Sequence, residues 1–440
     1  MRATRRCQAP GLPAWLALAL TAGWVSGAVA AQTPAAPPPF ELHAEPPIEV
    51  GLTWDQDSIT IQVPVPAAVR LVRSGRRIEV RGPAALTVEI ASAGDSGASY
   101  RFGSGSSASS GTFSATDTLI AIGERVGETG HEWGWAGKSW RGQFKIFVSP
   151  RGRLTLAARL PLETYLLGVV PGEIGKLDPA LIEAGRAQAI AARSYTLFYR
   201  GRRASEGFDL YGTVEDQLYG PTESEKPLAS RCVADTRGRI AMWAGQPIRA
   251  NYCSTCGGIT AEVWEAWPAD ALPYLTSHTD RGDSDWCAAS PQYRWHETWP
   301  AAEFVSNVER YAPAQGLGLP AGGIGDLLDV KVVARSRSGR AWRLSVQGTH
   351  GELEIPAYSI RQVLRRGGNP RAILRSNLFK IDVRRERGTG HALSVEASGA
   401  GSGHGVGLCQ TGAIGLARAG RSAEQILEHY YSGSVIERRY

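Results

Sequence analysis

At 440 residues the chain exceeds the usual domain size of about 100–200 residues, which excludes a miniprotein held by staples alone. Hydrophobic residues at 43% and charged residues at 20% exclude a disordered chain and a membrane-embedded one. The formal charge is +6, but no Lys/Arg run is interleaved with aromatics, so no nucleic-acid partner is expected.

Arg2, Arg5 and Arg6, an apolar centre at 15–22 and a small-x-small site at Ala28-Val29-Ala30 form the three parts of a secretory signal over residues 1–30. Gly23, Ser26 and Gly27 interrupt the apolar run before it spans a bilayer, and nothing later is apolar enough to do so. The sequence therefore predicts an exported protein of the periplasm or cell envelope without a stable membrane span. Residues 31–46 read as a Pro/Ala linker. An N-terminal β-rich region over 47–140 follows, with alternating runs at 59–65, 69–72, 77–80 and 86–90 and a Gly/Ser loop at 102–112.

From 141 to 440 the pattern changes. Stretches 143–148 and 153–160 around Pro150-Arg151-Gly152 predict a hairpin. A first helix opens at Pro161 and stops at Pro171-Gly172. A second, capped by Asp178 with Pro179 next, buries Ala187, Ile190, Ala191, Ser194, Leu197 and Phe198 and ends before Gly201. Glu173 falls in the link between them. Strands are predicted within 240–260, a meander over 330–355 turning at Ser338-Gly339, and a last helix opened by the Ser422/Gln425 capping box. The fold class is α+β: β-rich and multi-lobed, with a central helical segment and a glycine-rich substrate cleft.

Three motifs carry chemistry. Glu173, between Gly172 and Ile174-Gly175, is a carboxylate among apolar and glycine neighbours, where desolvation lets a carboxyl hold its proton near neutrality. The alternative is a solvated turn residue favouring the next helix's N-terminus. Residues 403–413 place His404, Cys409 and Gln410 among alternating glycines that allow close backbone approach to a ligand; Cys409 is either a nucleophile beside His404 or a buried cysteine at a helix entry. In Cys253-Ser254-Thr255-Cys256, followed by His278 and Cys287, the ligand count is zinc-like. In an exported chain the cysteines read instead as disulfides. Cys256 with Cys287 and Cys232 with Cys253 are the candidate pairs, which spacing does not fix, and the odd count leaves a thiol over.

Together these segments resemble the SpoIID/LytB family of bacterial cell-wall proteins. The blocks at 161–170 leading to Glu173, 183–197, 216–220, 254–260, 273–275, 374–376, 404–413 and 429–433 occur in the family's order and cover residues 141–440. The resemblance implies a lytic transglycosylase acting on peptidoglycan glycan strands, yielding 1,6-anhydro-muramic ends, with no cofactor and with Glu173 as the catalytic acid and base. It also implies Gln188, Arg193, Tyr195, Ser254, His404 and Gln410 as candidates for orienting sugar or carboxyl groups, Arg193 having the alternative of bracing the fold. The family's other implied activity is a non-catalytic one, a glycan-binding protein or enhancer of a cell-wall amidase. Some members carry a zinc site in the segment that here spans 208–217; its His and Cys ligands are absent from this sequence, so no metal is expected there.

Overall fold

The computed structural model describes residues 40–63, 67–80, 84–90, 97–102, 109–123 and 132–440. The expected signal at 1–30 and most of the linker lie outside them. Residues 40–46 lie against the fold: Phe40 N donates to the Gly245 carbonyl, Leu162 N to that of Pro46, and Glu163 N to the Glu45 carboxylate.

Two sheets share one core at the N-terminal end. The first runs, edge to edge, Leu210–Tyr211, Pro47–Gln56, Leu154–Pro161, Gln143–Val148, Thr118–Gly123, Ala67–Leu71, Arg77–Val80. The second runs Lys138–Arg141, Glu132–Trp135, Ser58–Val63, Ala84–Ile90, Gly97–Phe102, Ser109–Ser114. Alternation drives both: in Ser58–Val63 every second side chain, Ile59, Ile61 and Val63, is buried. The predicted hairpin forms between Gln143–Val148 and Leu154–Pro161, and Pro47–Gln56 pairs with the latter strand, so this sheet spans both sides of position 140. The Gly/Ser tract expected as a loop is partly strand. Phe102 pairs with Ser109 and Ala98 with Phe113, because Ala98, Tyr100, Phe102 and Phe113 face the core; residues 103–108 lie outside those described.

The described residues carry seven α-helices: α1 (Leu162–Ile174), α2 (Ile182–Tyr199), α3 (Pro227–Asp235), α4 (Ala301–Tyr311), α5 (Ala357–Val363), α6 (Gln410–Arg418) and α7 (Ala423–Tyr430). None is long and apolar enough to cross a membrane. Helix α1 continues through Pro171 and Gly172, where the sequence predicts a stop. An interior proline costs about 3 kcal/mol. Buried Val169, Val170 and Ile174 outweigh it at about 1.5–3 kcal/mol per fully buried side chain. Glu173 thus stands on the last turn of α1, ahead of Gly175 at φ 73°. The carboxylate of Asp178 accepts from Ala180 N (2.9 Å) and caps the 3-10 turn Pro179–Leu181 that leads into α2. Helix α2 is buried almost all round from Ala184 to Leu197, with Phe198 exposed.

Two further large cores are formed by the described residues. In one, α2 packs with α6, α7 and the parallel pair Tyr252–Cys253 and Leu408–Cys409. The capping box of α7 forms as predicted, with Gln425 N on Ser422 Oγ and Ser422 N on Gln425 Oε1. In the other, the meander Leu327–Arg335, Ala341–Gly348 and Gly351–Pro356 packs with α4, α5 and the sheet of Arg294–Pro300, Ala392–Ala400 and Phe379–Arg385 around Trp299, Phe304 and Val346. The fold is α+β.

Candidate functional site

Helix α1 delivers Glu173 to the surface beside the loop at 216–220. Close approach of the two requires Gly168, because a Cβ there would lie 2.6 Å from the Gly220 carbonyl oxygen; Gly220 N instead donates to the Gly168 carbonyl (3.1 Å). The loop then presents Leu218 N to Glu173 Oε1 (2.9 Å), with the Leu218 side chain exposed. Gln410, the first residue of α6, donates its amide to Glu173 Oε2 (3.2 Å), and the Tyr252 side chain also bonds the carboxylate. Burial raises the proton affinity of Glu173 above that of an ordinary carboxylate, and these three neutral partners offset it only in part.

A polar chain stands behind this carboxyl. Gln217 is fully buried, its oxygen taking the Thr196 hydroxyl (2.6 Å) and its amide donating to Tyr252 Oη (2.9 Å). Gln188, also fully buried, accepts at 3.5 Å from Gln410, and its own Nε2 has no partner among the described residues. From Tyr252 a row of rings leads away. Tyr195 is 6.0 Å from Tyr252 and 4.6 Å from Tyr199; Arg249 lies over Tyr199 (5.6 Å) and Trp267 (4.9 Å); and Trp267 is 4.7 Å from His404.

The sequence-predicted residues divide against this geometry. Gln188 and Gln410 join Glu173, Tyr195 and His404 lie on the ring row, and Ser254 is exposed, its carbonyl taking Thr411 N and Oγ1. Arg193 is not among them. It is fully buried and gives a two-pronged bond to Glu163 (Nε–Oε1 2.8 Å, Nη2–Oε2 2.7 Å), a brace between α1 and α2. His404 and Cys409 do not form a nucleophile–base pair. The ring of His404 is held by Val406 N (3.0 Å) and the Tyr252 backbone, and burial, helped by the Arg361 charge, pushes its pKa down to about 3. Cys409 Sγ is buried and takes Cys256 N and Gly412 N. The expected disulfides are not formed. All five described cysteines are free: Cys232 sits on α3 against the Ile182 carbonyl, Cys253 on its strand beside Cys409, and Cys256 Sγ is 3.8 Å from Cys287 Sγ.

A sequence profile described as stage II sporulation protein matches residues 150–243, the segment that carries α1, α2 and Glu173. Stage II sporulation protein D of Bacillus subtilis is 29% identical over 294 residues, 63% of this chain and 74% of that protein. The amidase enhancer of Bacillus subtilis is 25% identical over 310 residues, 62% of this chain and 40% of that protein. These matches support the SpoIID/LytB family for this chain. An uncharacterized protein of Brachyspira hyodysenteriae is 27% identical over 292 residues, 66% of this chain and 70% of that protein.

A second profile, a domain of unknown function (DUF8618), matches residues 283–407, which include most of the core around Trp299 and Phe304. The sequence reading missed Tyr252, Gln217 and the main chain of Leu218. All three fall inside or beside segments quoted as motifs, 216–220 and 253–256. A tyrosine next to a Cys-x-x-Cys pair and a glutamine in a short loop gave a signal of place and none of role.

Proposed function

We propose that this protein is an envelope enzyme that cleaves peptidoglycan glycan strands as a lytic transglycosylase, with Glu173 as its acid and base. The observation that carries the reading is the state of that carboxyl: half-buried, raised in proton affinity, and held by neutral donors. A group of this kind keeps its proton until a substrate oxygen takes it.

The chemistry needs one carboxyl. Protonated Glu173 gives its proton to the glycosidic oxygen as the bond from that oxygen to the muramic C1 breaks. The resulting carboxylate, now stabilised by Leu218 N–H, Gln410 and Tyr252, takes the proton of the same sugar's C6 hydroxyl as that oxygen bonds to C1. The product is a 1,6-anhydro end and no water is consumed. The nucleophile is tethered to the reacting ring, so its effective concentration is high without a positioned water. The half-exposed faces of Tyr199 and Trp267 suit stacking on sugar rings, and Arg249 between them suits an anionic sugar substituent.

The amidase-enhancer relative favours a second reading, in which the same surface holds a strand without cutting it and assists a cell-wall amidase. Incubating the protein and its Glu173→Gln variant with purified glycan strands, intact and amidase-treated, separates the two. Anhydro-muramic ends seen by mass spectrometry with the wild type alone support the enzyme. Strand binding without cleavage by either protein moves the assignment to the enhancer.

A further inference from the structure

Beyond the glycan site, the core shared by α2, α6 and α7 encloses a second constellation. Cys256, Asp280, Cys287 and Cys409 are each 0–1% exposed, and one ligand atom from each lies within 4.8 Å of all the others. Cys256 Sγ is 3.8 Å from Cys287 Sγ and 3.0 Å from Asp280 Oδ2. A tetrahedron with metal–sulfur bonds of about 2.3 Å has edges of about 3.8 Å.

Main-chain donors face the sulfurs. Cys256 N (3.2 Å) and Gly412 N (3.3 Å) donate to Cys409 Sγ, and Gly258 N (3.4 Å) donates to Cys256 Sγ. The other oxygen of Asp280, Oδ1, takes the Tyr430 hydroxyl (2.9 Å) and pairs with His429 Nε2 (3.0 Å), which leaves Oδ2 facing the sulfurs. Such outer bonds orient a ligating carboxylate. Position 412 has to be glycine for this packing, since a Cβ would lie 2.1 Å from Tyr430 Oη and 2.6 Å from Asp280 Oδ2. Three thiolates and a carboxylate buried together would be very costly without a cation.

The geometry points to a structural zinc site formed by Cys256, Asp280, Cys287 and Cys409. Four protein ligands close the coordination sphere, so the ion is a clamp and takes no substrate. It ties the turn at 254–258 and the loop at 280–287 to the start of α6, and Cys409 directly precedes Gln410, whose amide holds Glu173. The site uses no residue of 208–217. It replaces the expected Cys256–Cys287 disulfide, and of the zinc-like set read from the sequence it keeps Cys256 and Cys287 while Cys253 and His278 give way to Cys409 and Asp280.

The test is the metal content of the full chain purified without chelator, measured by inductively coupled plasma mass spectrometry, beside the mass of the denatured, unreduced, alkylated chain. The expected result is about one zinc per chain, with Cys256, Cys287 and Cys409 all alkylated. Cys287→Ser and Asp280→Asn lose most of the zinc, while Cys232→Ser, outside the cluster, keeps it. Because a ligand variant can fail to fold, cobalt(II) exchanged into the wild type provides a second readout: tetrahedral d–d bands and thiolate charge-transfer absorption are expected. A folded wild-type chain that holds no zinc and gives no such spectrum, or one with a Cys256–Cys287 disulfide, overturns the proposal.

Discussion

Helix α1 carries a carboxylate at each end, and the two have opposite characters. Glu163, in the first turn, is nearly buried; burial pushes its pKa up, but the bonds and charge of Arg193, with Tyr440 and Gly238 N, outweigh this and hold it below the usual range. Glu173, in the last turn, is pushed up by burial and meets only neutral donors, so the net shift is upward. One helix thus makes a structural anion from one glutamate and a proton donor from the other. The difference lies in whether a cation is supplied, and α2 supplies Arg193 to the first end alone.

The sharpest way to break this comparison is to neutralise each end in turn. Glu173→Gln is expected to lower glycan cleavage by about 10²–10⁴-fold, the range for a lost general acid, with no loss of thermal stability. The sign follows from the raised folded-state pKa. The native state favours the protonated form, so ionisation of Glu173 destabilises the fold as pH rises above the unfolded value, and the variant escapes this. A clear drop in melting temperature at neutral pH would make Glu173 a brace like Glu163.

Arg193→Ala should do the reverse. Removing the guanidinium leaves Glu163 as an uncompensated buried charge, at a cost of about 3–5 kcal/mol in urea unfolding, with cleavage per folded molecule retained. The pH dependence distinguishes the ends as well. Glu163, with a depressed folded-state pKa, contributes stability that is present above its unfolded value and lost as pH falls through the folded one. Activity depends on the protonated form of Glu173 and is lost as pH rises through its raised value, so the rate profile of the wild type should have an alkaline limb above the ordinary carboxylate range. A limb at or below that range would show that burial does not govern this group.

How much of this contrast was legible beforehand differs along the chain. Periodicity disclosed the hairpin at 143–160, α2, the meander and the α7 cap, because local pattern and final burial agree there. It failed at Pro171, where a local rule for stopping a helix was overridden by the burial of Val169, Val170 and Ile174. It failed again at the Gly/Ser tract, whose ends are strand because Phe102 and Phe113 reach the core. At the site, the motif residues Glu173, Gln188 and Gln410 do meet, but Arg193, in the same motif, serves the fold. Nothing in one dimension distinguishes an arginine that faces a ligand from one that faces Glu163, since the partner lies one helix away. Likewise Cys409 with Cys256 and Cys287 is a grouping that only the α6 entry brings about.

The finest test concerns what keeps Glu173 from being a simple buried acid. Tyr252 accepts from Gln217 and bonds the Glu173 carboxylate, an interaction that favours the ionised form. Tyr252→Phe removes it, so the proton affinity of Glu173 should rise further and the alkaline limb should move to higher pH. The first proton transfer, which leaves Glu173 as the carboxylate, loses one stabilising donor worth about 1 kcal/mol, and the maximal rate should fall by several-fold with KM little changed. Gln217 keeps Thr196 and the Ala192 carbonyl as partners, so the fold behind the site stands. A limb that stays in place would mean that Tyr252 serves the ring row rather than the carboxyl, and that Leu218 N–H and Gln410 alone set the second end of α1 apart from the first.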